Sequence, residues 1–486
     1  MRKLKILILC VLSIIISLPN FACNDKKDDK EITTYDIDCE LNGNVLSGKE
    51  NVNFYNFTDN AFSELKFNLY GNAFRQGAKY KPINEKENYK AYLNGVNYGS
   101  MKINSVFNKE QNLEFSIGGK DENVLIVDLN EELYPGESVE VTIDFVLEIA
   151  NVISRTGVND KTINLGNFYP ILCGIENDEF FECEYYDLGD PFFSDVANYS
   201  VSITTQKDYV IASSGKLDKE DLLADKKVSE YSIDKARSFC MVLSKEFKVL
   251  TKNVDDTEIK YYYFSDEFNE QNLDVIEKSL VFFNQQFGKY PYKTYSVVQT
   301  KFLEGGMEYP ALTLISDEIE ENQYKEVIVH ETAHQWWQTV VGNNEVKEGY
   351  LDEGLTEYSV VLFYENHLEF GYTRKNLINI AENNYKTFCT VYEKIFKNTN
   401  TVMARPLNEF TSEFEYVNMA YVKPCIMYDY FRTSVGDEKF FDGLKKYYEK
   451  YAYKNATVND LIACFENVGT NAEAFFDGFL KGKVII

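Results

Sequence analysis

The spacing of apolar residues changes near residue 269, and this change limits what the chain can fold into. Before about residue 250, apolar and polar residues alternate in short runs such as 139–146 and 199–205. Turn dipeptides such as Asn42-Gly43 and Pro135-Gly136 separate these runs, which is typical of antiparallel strands joined by tight turns. After 269 the apolar residues recur at helical spacing. The first half is therefore predicted to be all-β and the second half mostly helical.

The second half is predicted to contain a small sheet among its helices, because 295–300 and 312–316 are short apolar runs. Helical patterns are predicted at 270–287, 322–341, 352–369, 374–397, 422–434, 437–453 and 457–467. We therefore predict a multi-domain α+β protein. An N-terminal antiparallel β-sandwich-like domain covers 34–253, an α/β domain covers 254–435, and a short helical tail covers 436–486.

Charge and length exclude some functions. The 486 residues exceed the size of one ordinary core, which favours two or three domains. Fifty basic and 77 acidic side chains leave a net charge of −27. A surface this acidic repels phosphate backbones, so we exclude nucleic acid as a partner. The nine cysteines include no CxxC pair, and we expect those beyond the leader to be buried thiols.

Residues 1–22 are predicted to be an export signal. A basic stretch precedes an apolar run at 6–18, and thirteen residues at about 1.5 Å each cannot cross a hydrocarbon core of about 30 Å. Cys23 and a polar tether at 23–33 follow, which resembles a bacterial lipoprotein signal except that Asn20 stands where Leu is usual. We expect an exported protein, anchored at a bacterial cell surface by lipid on Cys23 and otherwise not in the membrane. Plain secretion is the alternative.

The segment His330-Glu331-Thr332-Ala333-His334 carries the chemistry. On a helix, residues four apart are about 40° apart around the axis and about 6 Å along it, so both imidazoles can bind one metal ion. Glu331 is then placed to accept a proton from a water that the ion activates. The chain has only three histidines, and two of them stand here. The pattern predicts a zinc site.

A catalytic zinc takes three protein ligands and leaves one position open. His367 is one candidate for the third ligand, but it lies at a polar helix end, where an exposed role is more typical. Glu353 is the better candidate because it lies nineteen positions after His334. That distance allows the first helix to end at Gly342 and a second helix to return beside it. We predict one zinc per chain, bound by His330, His334 and Glu353.

Four segments of the chain resemble one enzyme family. Residues 330–337, followed by Glu353-Gly354, resemble the zinc aminopeptidases of the aminopeptidase N (membrane alanyl aminopeptidase) family, which are gluzincins. The segment 304–310 (EGGMEYP) resembles the family's GxMEN exopeptidase signature, and 421–424 (YVKP) resembles its YxKG segment. The resemblance covers about 255–435 and implies a thermolysin-like catalytic domain behind an N-terminal β-domain.

The resemblance also implies a role for each matched residue. Glu331 would be the general base and would then pass its proton to the leaving amine. Tyr421 would donate a hydrogen bond to the oxyanion that forms during the reaction. Glu308 would pair with the free α-ammonium group of the substrate, which is how an exopeptidase recognises a chain end.

The remaining predicted site residues support these groups. Gly305 and Gly306, beside Met307, would let the substrate backbone approach a strand edge closely. Glu357 lies one turn beyond Glu353 on the same helix face and would hold the second nitrogen of a zinc-binding histidine. Both tryptophans, at 336 and 337, are predicted to be core.

The chain departs from the family pattern at three places. Tyr309 stands where the family has Asn, and Pro424 stands where it has Gly. The family's N-terminal domain contributes a Gln or Glu to the substrate amine, and residues 165–170 show no convincing counterpart. The large C-terminal helical domain of full-length relatives also has no counterpart after the predicted tail.

We predict a zinc-dependent aminopeptidase that acts on peptides with a free N terminus. Two alternatives stay open. The short tail would leave the cleft open enough for a zinc endopeptidase. A non-catalytic surface binding lipoprotein with a relict peptidase domain is the second alternative, although the intact set of metal and catalytic residues argues against it.

Overall fold

The computed structural model describes residues 32–109, 111–264, 267–397, 399–484 and 486. The predicted export signal and Cys23 lie outside these residues. Among the described helices, none combines the length and the apolar character that a membrane crossing requires. Seven cysteines fall in the described ranges, and all except Cys389 are buried free thiols, as predicted.

The strands of the N-terminal domain form because alternate side chains face a core. Along the first strand the pattern of buried and exposed residues alternates almost without interruption, which is the period of two expected for a sheet with one buried face. The strands are β1 Thr33–Asn42, β2 Val45–Tyr55, β3 Phe62–Asn68, β4 Ser100–Asn108, β5 Gln111–Asn112, β6 Phe115–Gly118, β7 Val124–Leu133, β8 Ser138–Glu148, β9 Thr156–Val158, β10 Ile163–Leu165, β11 Ile171–Leu172, β12 Ile175–Glu176, β13 Glu179–Phe180, β14 Ala197–Gln206, β15 Val210–Ser213, β16 Lys216–Leu223, β17 Lys226–Ala236 and β18 Met241–Ser244.

These strands form an eight-stranded sheet in the order β16-β17-β14-β1-β2-β8-β4-β5 and smaller sheets beside it, among them β15-β18-β10-β9 and β11-β3-β7-β6. One pair departs from the predicted antiparallel arrangement, because β1 and β14 run parallel, with Ile37 opposite Val201. A tight turn can join only antiparallel neighbours, whereas β14 joins β1 after a long connection that permits either direction.

The catalytic domain is built on a five-stranded sheet in the order β19-β20-β21-β23-β22. Its strands are β19 Lys248–Val254, β20 Thr257–Tyr263, β21 Thr294–Thr300, β22 Gly306–Met307 and β23 Leu312–Ser316. The three central strands are parallel, and β22 is the antiparallel edge strand. The hairpin of β19 and β20 spans the predicted junction at 253/254, so this sheet begins at Lys248. A final short pair is β24 Val341–Gly342 with β25 Lys454–Asn455.

Helices cover the rest of the catalytic domain and the tail, and the predicted fold class is confirmed. The helices are α1 Asn88–Ala91, α2 Asn269–Gln286, α3 Glu321–Ala333, α4 Glu345–Asn366, α5 Arg374–Phe396, α6 Glu413–Val417, α7 Lys423–Val435, α8 Asp437–Tyr451, α9 Val458–Glu466 and α10 Ala472–Leu480.

One helix boundary corrects the sequence prediction. Helix α3 ends at Ala333 rather than at Gly342. The chain then turns through Gln338, whose φ of 124° does not occur in a helix. This turn places Trp336 and Trp337 in the core, where both are buried as predicted. The gain from burying two indoles is larger than the cost of ending the helix one turn after the first histidine.

Arg237 joins the two domains close to this turn. Its Nε donates to the Gln338 carbonyl at 2.8 Å, and its Nη2 donates to the Lys454 carbonyl at 2.7 Å. A Cβ on Gly342 would lie only 2.5 Å from Nη1 of the same guanidinium, so a larger residue there would push the guanidinium aside. The N-terminal domain is thereby fixed against the helix that carries the metal-binding histidines.

Candidate active site

Helices α3 and α4 bring His330, His334 and Glu353 together. The two Nε2 atoms lie 3.1 Å apart. Oε2 of Glu353 lies 3.3 Å from Nε2 of His330 and 3.2 Å from Nε2 of His334. Ligands bound at about 2.0–2.2 Å from a tetrahedral zinc are about 3.3–3.6 Å apart. The triangle is therefore close to the size that a zinc ion requires, and its two nitrogens and one oxygen are typical zinc donors.

The second nitrogen of each histidine is held by a neighbouring oxygen. Nδ1 of His334 lies 3.0 Å from the Trp337 carbonyl and 3.1 Å from the Thr356 hydroxyl. Nδ1 of His330 lies 3.2 Å from a carboxylate oxygen of Glu357. A carbonyl or carboxylate at Nδ1 places the proton there and leaves Nε2 free to bind a metal. Glu357 thus contacts the second nitrogen of His330.

Charges at this triangle also suit a divalent cation. Burial alone would raise the pKa of Glu353, but the adjacent imidazoles of His334 and His330 lower it to about 2. Burial alone would lower the pKa of His330, but its contacts with Glu353 and Glu357 raise it to about 10. The carboxylates thus create a strongly negative potential around the imidazoles. A bound cation would take the place of the protons that this potential attracts.

Tyr421 lies against the metal triangle. Its hydroxyl donates to Oε1 of Glu353 at 2.5 Å, and its ring stacks on that of His330 with centroids 5.9 Å apart. The tyrosine lies in a π-helical turn, Asn418–Val422, immediately before α7; such turns are frequent at functional sites. Pro424 occupies the start of α7, where a missing N–H is tolerated. The departure from the family at this position therefore leaves Tyr421 in place.

Glu331 packs against Gly306 of the edge strand β22. Its carboxyl group packs on Gly306 so closely that a Cβ there would lie 2.6 Å from Cδ and 2.7 Å from Cγ of Glu331. Burial, and then the charge of Glu308, raise the pKa of Glu331 to about 8. Its Oε2 forms no hydrogen bond with any described residue. This carboxylate is therefore available to a ligand in the cleft.

Glu308 follows β22 and is 3% exposed. Its Oε1 is buried and has no hydrogen-bond partner among the described residues. Burial raises the pKa of Glu308 to about 7, with His334 opposing this rise and Asp190 adding to it. A buried carboxylate oxygen without a partner is costly, and a cationic ligand would remove the cost. Gly305 and Met307 lie beside it on the same edge, as predicted.

His367 does not approach the site. Its Nδ1 lies 2.9 Å from the Phe363 carbonyl, and its ring stacks on Phe363 with centroids 4.1 Å apart. Tyr309, which stands where the family has Asn, packs into the N-terminal domain. A Cβ on Gly166 would lie 2.6 Å from Cζ of Tyr309.

Sequence reasoning missed the part of the site that the N-terminal domain contributes. Asn167, in the left-handed conformation with φ of 54°, lines a cavity of about 30 Å³ together with Met307 and Glu308. Asp190 and Arg155 lie beside them and pair at 2.6 Å. The 165–170 segment carries no pattern that would reveal this. Only its positive φ, which no sequence rule predicts for Asn167, marks the position as constrained.

Comparisons with known proteins find similarity to peptidases of one family. Residues 271–479 match the model of the peptidase family M1 domain. Aminopeptidase B of Homo sapiens is 25% identical over 221 residues, which are 40% of this chain and 31% of that protein. Aminopeptidase N of Lactococcus lactis subsp. lactis is 26% identical over 230 residues, 43% of this chain and 26% of that protein. The chain thus spans about a third or less of the length of these curated relatives.

Solved structures extend the similarity to both domains. The M1 zinc metallopeptidase from Deinococcus radiodurans superposes with a TM-score of 0.67 at 15% identity, covering 94% of this chain and 95% of that one. Two histidines at the end of one helix and a glutamate on the next give the His2Glu donor set of thermolysin-type zinc sites. The predicted resemblance to a zinc aminopeptidase family is confirmed by the match of residues 271–479 to the peptidase family M1 domain.

Proposed function

We propose that this protein is a zinc-dependent aminopeptidase that removes the N-terminal residue of peptides. One observation carries the proposal. The cleft that holds the metal triangle also holds Glu308, a buried carboxylate with an oxygen unpaired among the described residues. The first feature suits hydrolysis, and the second suits a free α-ammonium group. The names of the relatives, aminopeptidase B and aminopeptidase N, support the same interpretation.

Each residue has a defined task in this mechanism. Zinc, when held by His330, His334 and Glu353, supplies a Lewis acid that polarises the scissile carbonyl and lowers the pKa of water. Glu331 takes the proton of the attacking water and passes it to the leaving amine. Tyr421 moves its hydrogen bond from Glu353 to the oxyanion as negative charge develops. Glu308 holds the α-ammonium group and so fixes which peptide bond is cleaved.

Ligands of the structural neighbours are consistent with this substrate class. The M1 zinc metallopeptidase from Deinococcus radiodurans has been solved as a mutant bound to a Tyr-Ser-Ala substrate. A two-domain M1 zinc metallopeptidase mutant has been solved bound to L-tryptophan. Those ligands carry a free α-amino group. The similarity in sequence is only 15%, so these complexes support the proposal without defining the substrate of this chain.

The first experiment compares two substitutions in the metal helix. Glu331→Gln should keep one zinc per chain and lose nearly all turnover, by about 10²–10⁴-fold, because the base is removed and no ligand is. His334→Ala should lose both zinc and turnover. Metal content is measured by atomic spectroscopy, and turnover by aminoacyl-fluorogenic substrates with and without a chelator. Equal zinc loss in both variants would refute the assigned roles.

The second experiment separates the aminopeptidase from an endopeptidase. The wild type should cleave a free peptide and leave its N-acetylated form intact, because acetylation removes the positive charge that Glu308 binds. Comparable cleavage of both peptides would favour an endopeptidase with an open cleft. Cleavage of neither, by zinc-loaded protein, would favour the binding-protein alternative.

We also propose that the protein is exported and anchored by lipid on Cys23. The observation is the leader of basic, apolar and small residues that ends at this cysteine. One acyl chain binds a membrane only weakly, whereas the two or more chains of a lipoprotein anchor it stably. Fractionation should find the wild type in membranes and Cys23→Ser in the soluble fraction. A soluble wild type would contradict the anchor.

A further inference from the structure

Arg155 is a buried residue of the N-terminal domain whose guanidinium reaches the substrate edge of the catalytic domain. It immediately precedes β9 and is 5% exposed. Its Nη2 donates to Oδ1 of Asp190 at 2.6 Å and to the Gly189 carbonyl at 3.3 Å. Its Nε lies 3.1 Å from Sδ of Met307, and its Nη1 lies 3.7 Å from Oε1 of Glu304. The group therefore contacts 189–190 on one side and 304–307 on the other.

The surroundings of Arg155 keep this contact in one geometry. The rings of Phe192 and Phe302 lie 5.6 and 5.8 Å from its Cζ. Phe192 belongs to the N-terminal domain and Phe302 to the catalytic domain. A guanidinium is planar and rigid, so fixing it between two rings also fixes the directions of its N–H groups. Breaking one side of a buried ion pair leaves an uncompensated charge, which opposes any movement of the two carboxylates.

The strand that Arg155 contacts has few other supports. Strand β22 pairs with β23 at only two positions, Gly306 with Ile315 and Met307 with Leu314. One further backbone bond, from Ser316 to the Gly305 carbonyl at 3.0 Å, holds its start. Glu308 directly follows this two-residue edge strand. The position of the Glu308 carboxylate thus depends on what holds Met307.

We propose that Arg155 is a positioning residue for the amine-binding end of the cleft. It ties Met307 to the N-terminal domain and so sets the position of Glu308. Its bond to Asp190 also fixes the direction of that carboxylate. This inference rests on the proposed aminopeptidase function. It adds that recognition of the chain end is assembled across the two domains, by a residue that touches neither zinc nor the scissile bond.

Two ligands that differ by one group test this role. The first is an amino acid hydroxamate, which binds zinc through its hydroxamate and presents an α-ammonium group. The second is the des-amino hydroxamate of the same side chain. The ratio of their dissociation constants, measured by calorimetry on zinc-loaded protein, reports the amine contact alone. Steady-state kinetics with a free-amine substrate gives kcat and KM separately.

Arg155→Met should weaken the amino ligand about 10- to 100-fold, which is the loss expected from a misplacement of about 1 Å. The des-amino ligand should bind within about twofold of wild type, and zinc content should stay at one per chain. KM should rise by a similar factor to the amino-ligand loss, while kcat changes little. Arg155→Lys should restore part of the affinity for the amino ligand, because lysine keeps the positive charge but lacks the planar, forked N–H donors of the guanidinium.

If Arg155→Met fails to fold, Met307→Leu is a second variant that should keep the fold. It removes the sulfur contact at nearly constant volume and should move the ligand ratio in the same direction by a smaller amount. Arg75→Met is the matched control. Arg75 pairs with Asp121 at 2.8 Å in the same domain, and its loss should leave the ratio unchanged.

Four results would overturn the inference. Equal weakening of both ligands would mean that Arg155 only stabilises the fold. Tighter binding of the amino ligand would mean that Arg155 acts as a repelling charge rather than as a support. A wild type that binds both ligands equally would refute the positioning role because Glu308 is then no amine anchor. An active enzyme with an unchanged ratio in Arg155→Met would refute the role of Arg155 and leave the proposed function intact.

Discussion

The metal-binding end and the amine-binding end of the cleft differ in how their carboxylates are paired. At the metal end, Glu353 contacts two imidazoles and the Tyr421 hydroxyl, and its pKa falls to about 2. At the other end, Glu308 and Glu331 each keep a buried oxygen with no partner among the described residues, and their pKa values rise to about 7 and 8. The carboxylate at the first end is fully paired, whereas the carboxylates at the second end keep buried oxygens to which a ligand can bind.

The two ends also differ in how far apart their residues lie in the sequence. The metal triangle joins two consecutive helices, and its longest separation is 23 residues, between His330 and Glu353. The amine end joins Arg155 to Met307, which are 152 residues apart. Local geometry therefore builds the metal end, whereas the amine end depends on how the two domains pack. Substitutions at each end should therefore distinguish the effect of local helix geometry from the effect of domain packing.

Tyr421→Phe, at the metal end, should produce a larger change than Glu308→Gln at the amine end. The hydroxyl contacts Glu353 in the free protein and would contact the oxyanion during the reaction. Losing one such donor lowers kcat by about 10²–10³-fold. Zinc content should stay at one per chain, because Glu353 keeps both histidine contacts. A large rise in KM with little change in kcat would instead make Tyr421 a residue that binds the ground state.

Glu308→Gln should act on the other end of the cleft. Replacing a charge pair with the substrate ammonium by a neutral contact should lower kcat/KM on free-amine substrates by roughly 30- to 300-fold. The des-amino hydroxamate should bind the variant about as well as it binds wild type. Zinc content again serves as the control. Loss of zinc from this variant would show that the two ends are not independent.

This contrast explains what the sequence could and could not predict. The metal ligands could be predicted because they depend on local geometry. His330 and His334 are four residues apart in the HExxH segment, and the next helix returns beside them with Glu353 facing them. The strands, most helices and the fold class follow from local hydrophobic periods. Asp190 and Arg155 escaped prediction because their role arises only when the two domains meet. The early end of α3 escaped prediction for a different reason, because packing of Trp336 against Phe283 and Tyr290 outweighs helical propensity there.

Two adjacent glycines, Gly305 and Gly306, offer a matched test of how closely the edge strand packs on Glu331. A Cβ on Gly306 would collide with the carboxyl group of Glu331, whereas the nearest atom to a Cβ on Gly305 is Cγ2 of Val327 at 3.7 Å. Gly306→Ala should displace the general base and lower kcat by about 10- to 100-fold, as a misplacement of about 1 Å does. Gly305→Ala should stay within about threefold of wild type.

Zinc content and the circular-dichroism spectrum should be unchanged in both glycine variants. Equal activity losses would mean that backbone flexibility of the edge strand matters rather than contact with Glu331. Unchanged activity in both would mean that the carboxyl group of Glu331 moves aside at no cost.

The smallest expected effect concerns the domain junction on which the amine end depends. Asp195 accepts from the Ile175 backbone N–H at 2.9 Å and from the Asn455 amide at 2.8 Å, and so joins the N-terminal domain to the tail. Burial raises its pKa to about 6, although the Ile175 contact and Arg237 oppose the rise. In an unfolded chain the pKa is about 3.9. The folded state therefore binds the proton more tightly, and its contribution to stability is full below pH 4 and lost as pH rises through 6.

Asp195→Asn cannot titrate, so its stability relative to wild type should rise between pH 4 and pH 7.5. Because the side chain keeps some contact with water, we expect this change to be about 1–2 kcal/mol. For a chain of this length that corresponds to a shift of roughly 1–2 °C in the thermal midpoint. The quantity to compare is the difference in free energy of unfolding between variant and wild type at each pH. The titration of the other carboxylates cancels in this difference, and so does any rearrangement of Asn455 that is the same at both pH values. A difference that stays constant from pH 4 to 7.5 would show that Asp195 is already ionised throughout. In that case the junction that supports Glu308 would be insensitive to pH in this range, and any pH dependence of substrate affinity would have to arise within the cleft.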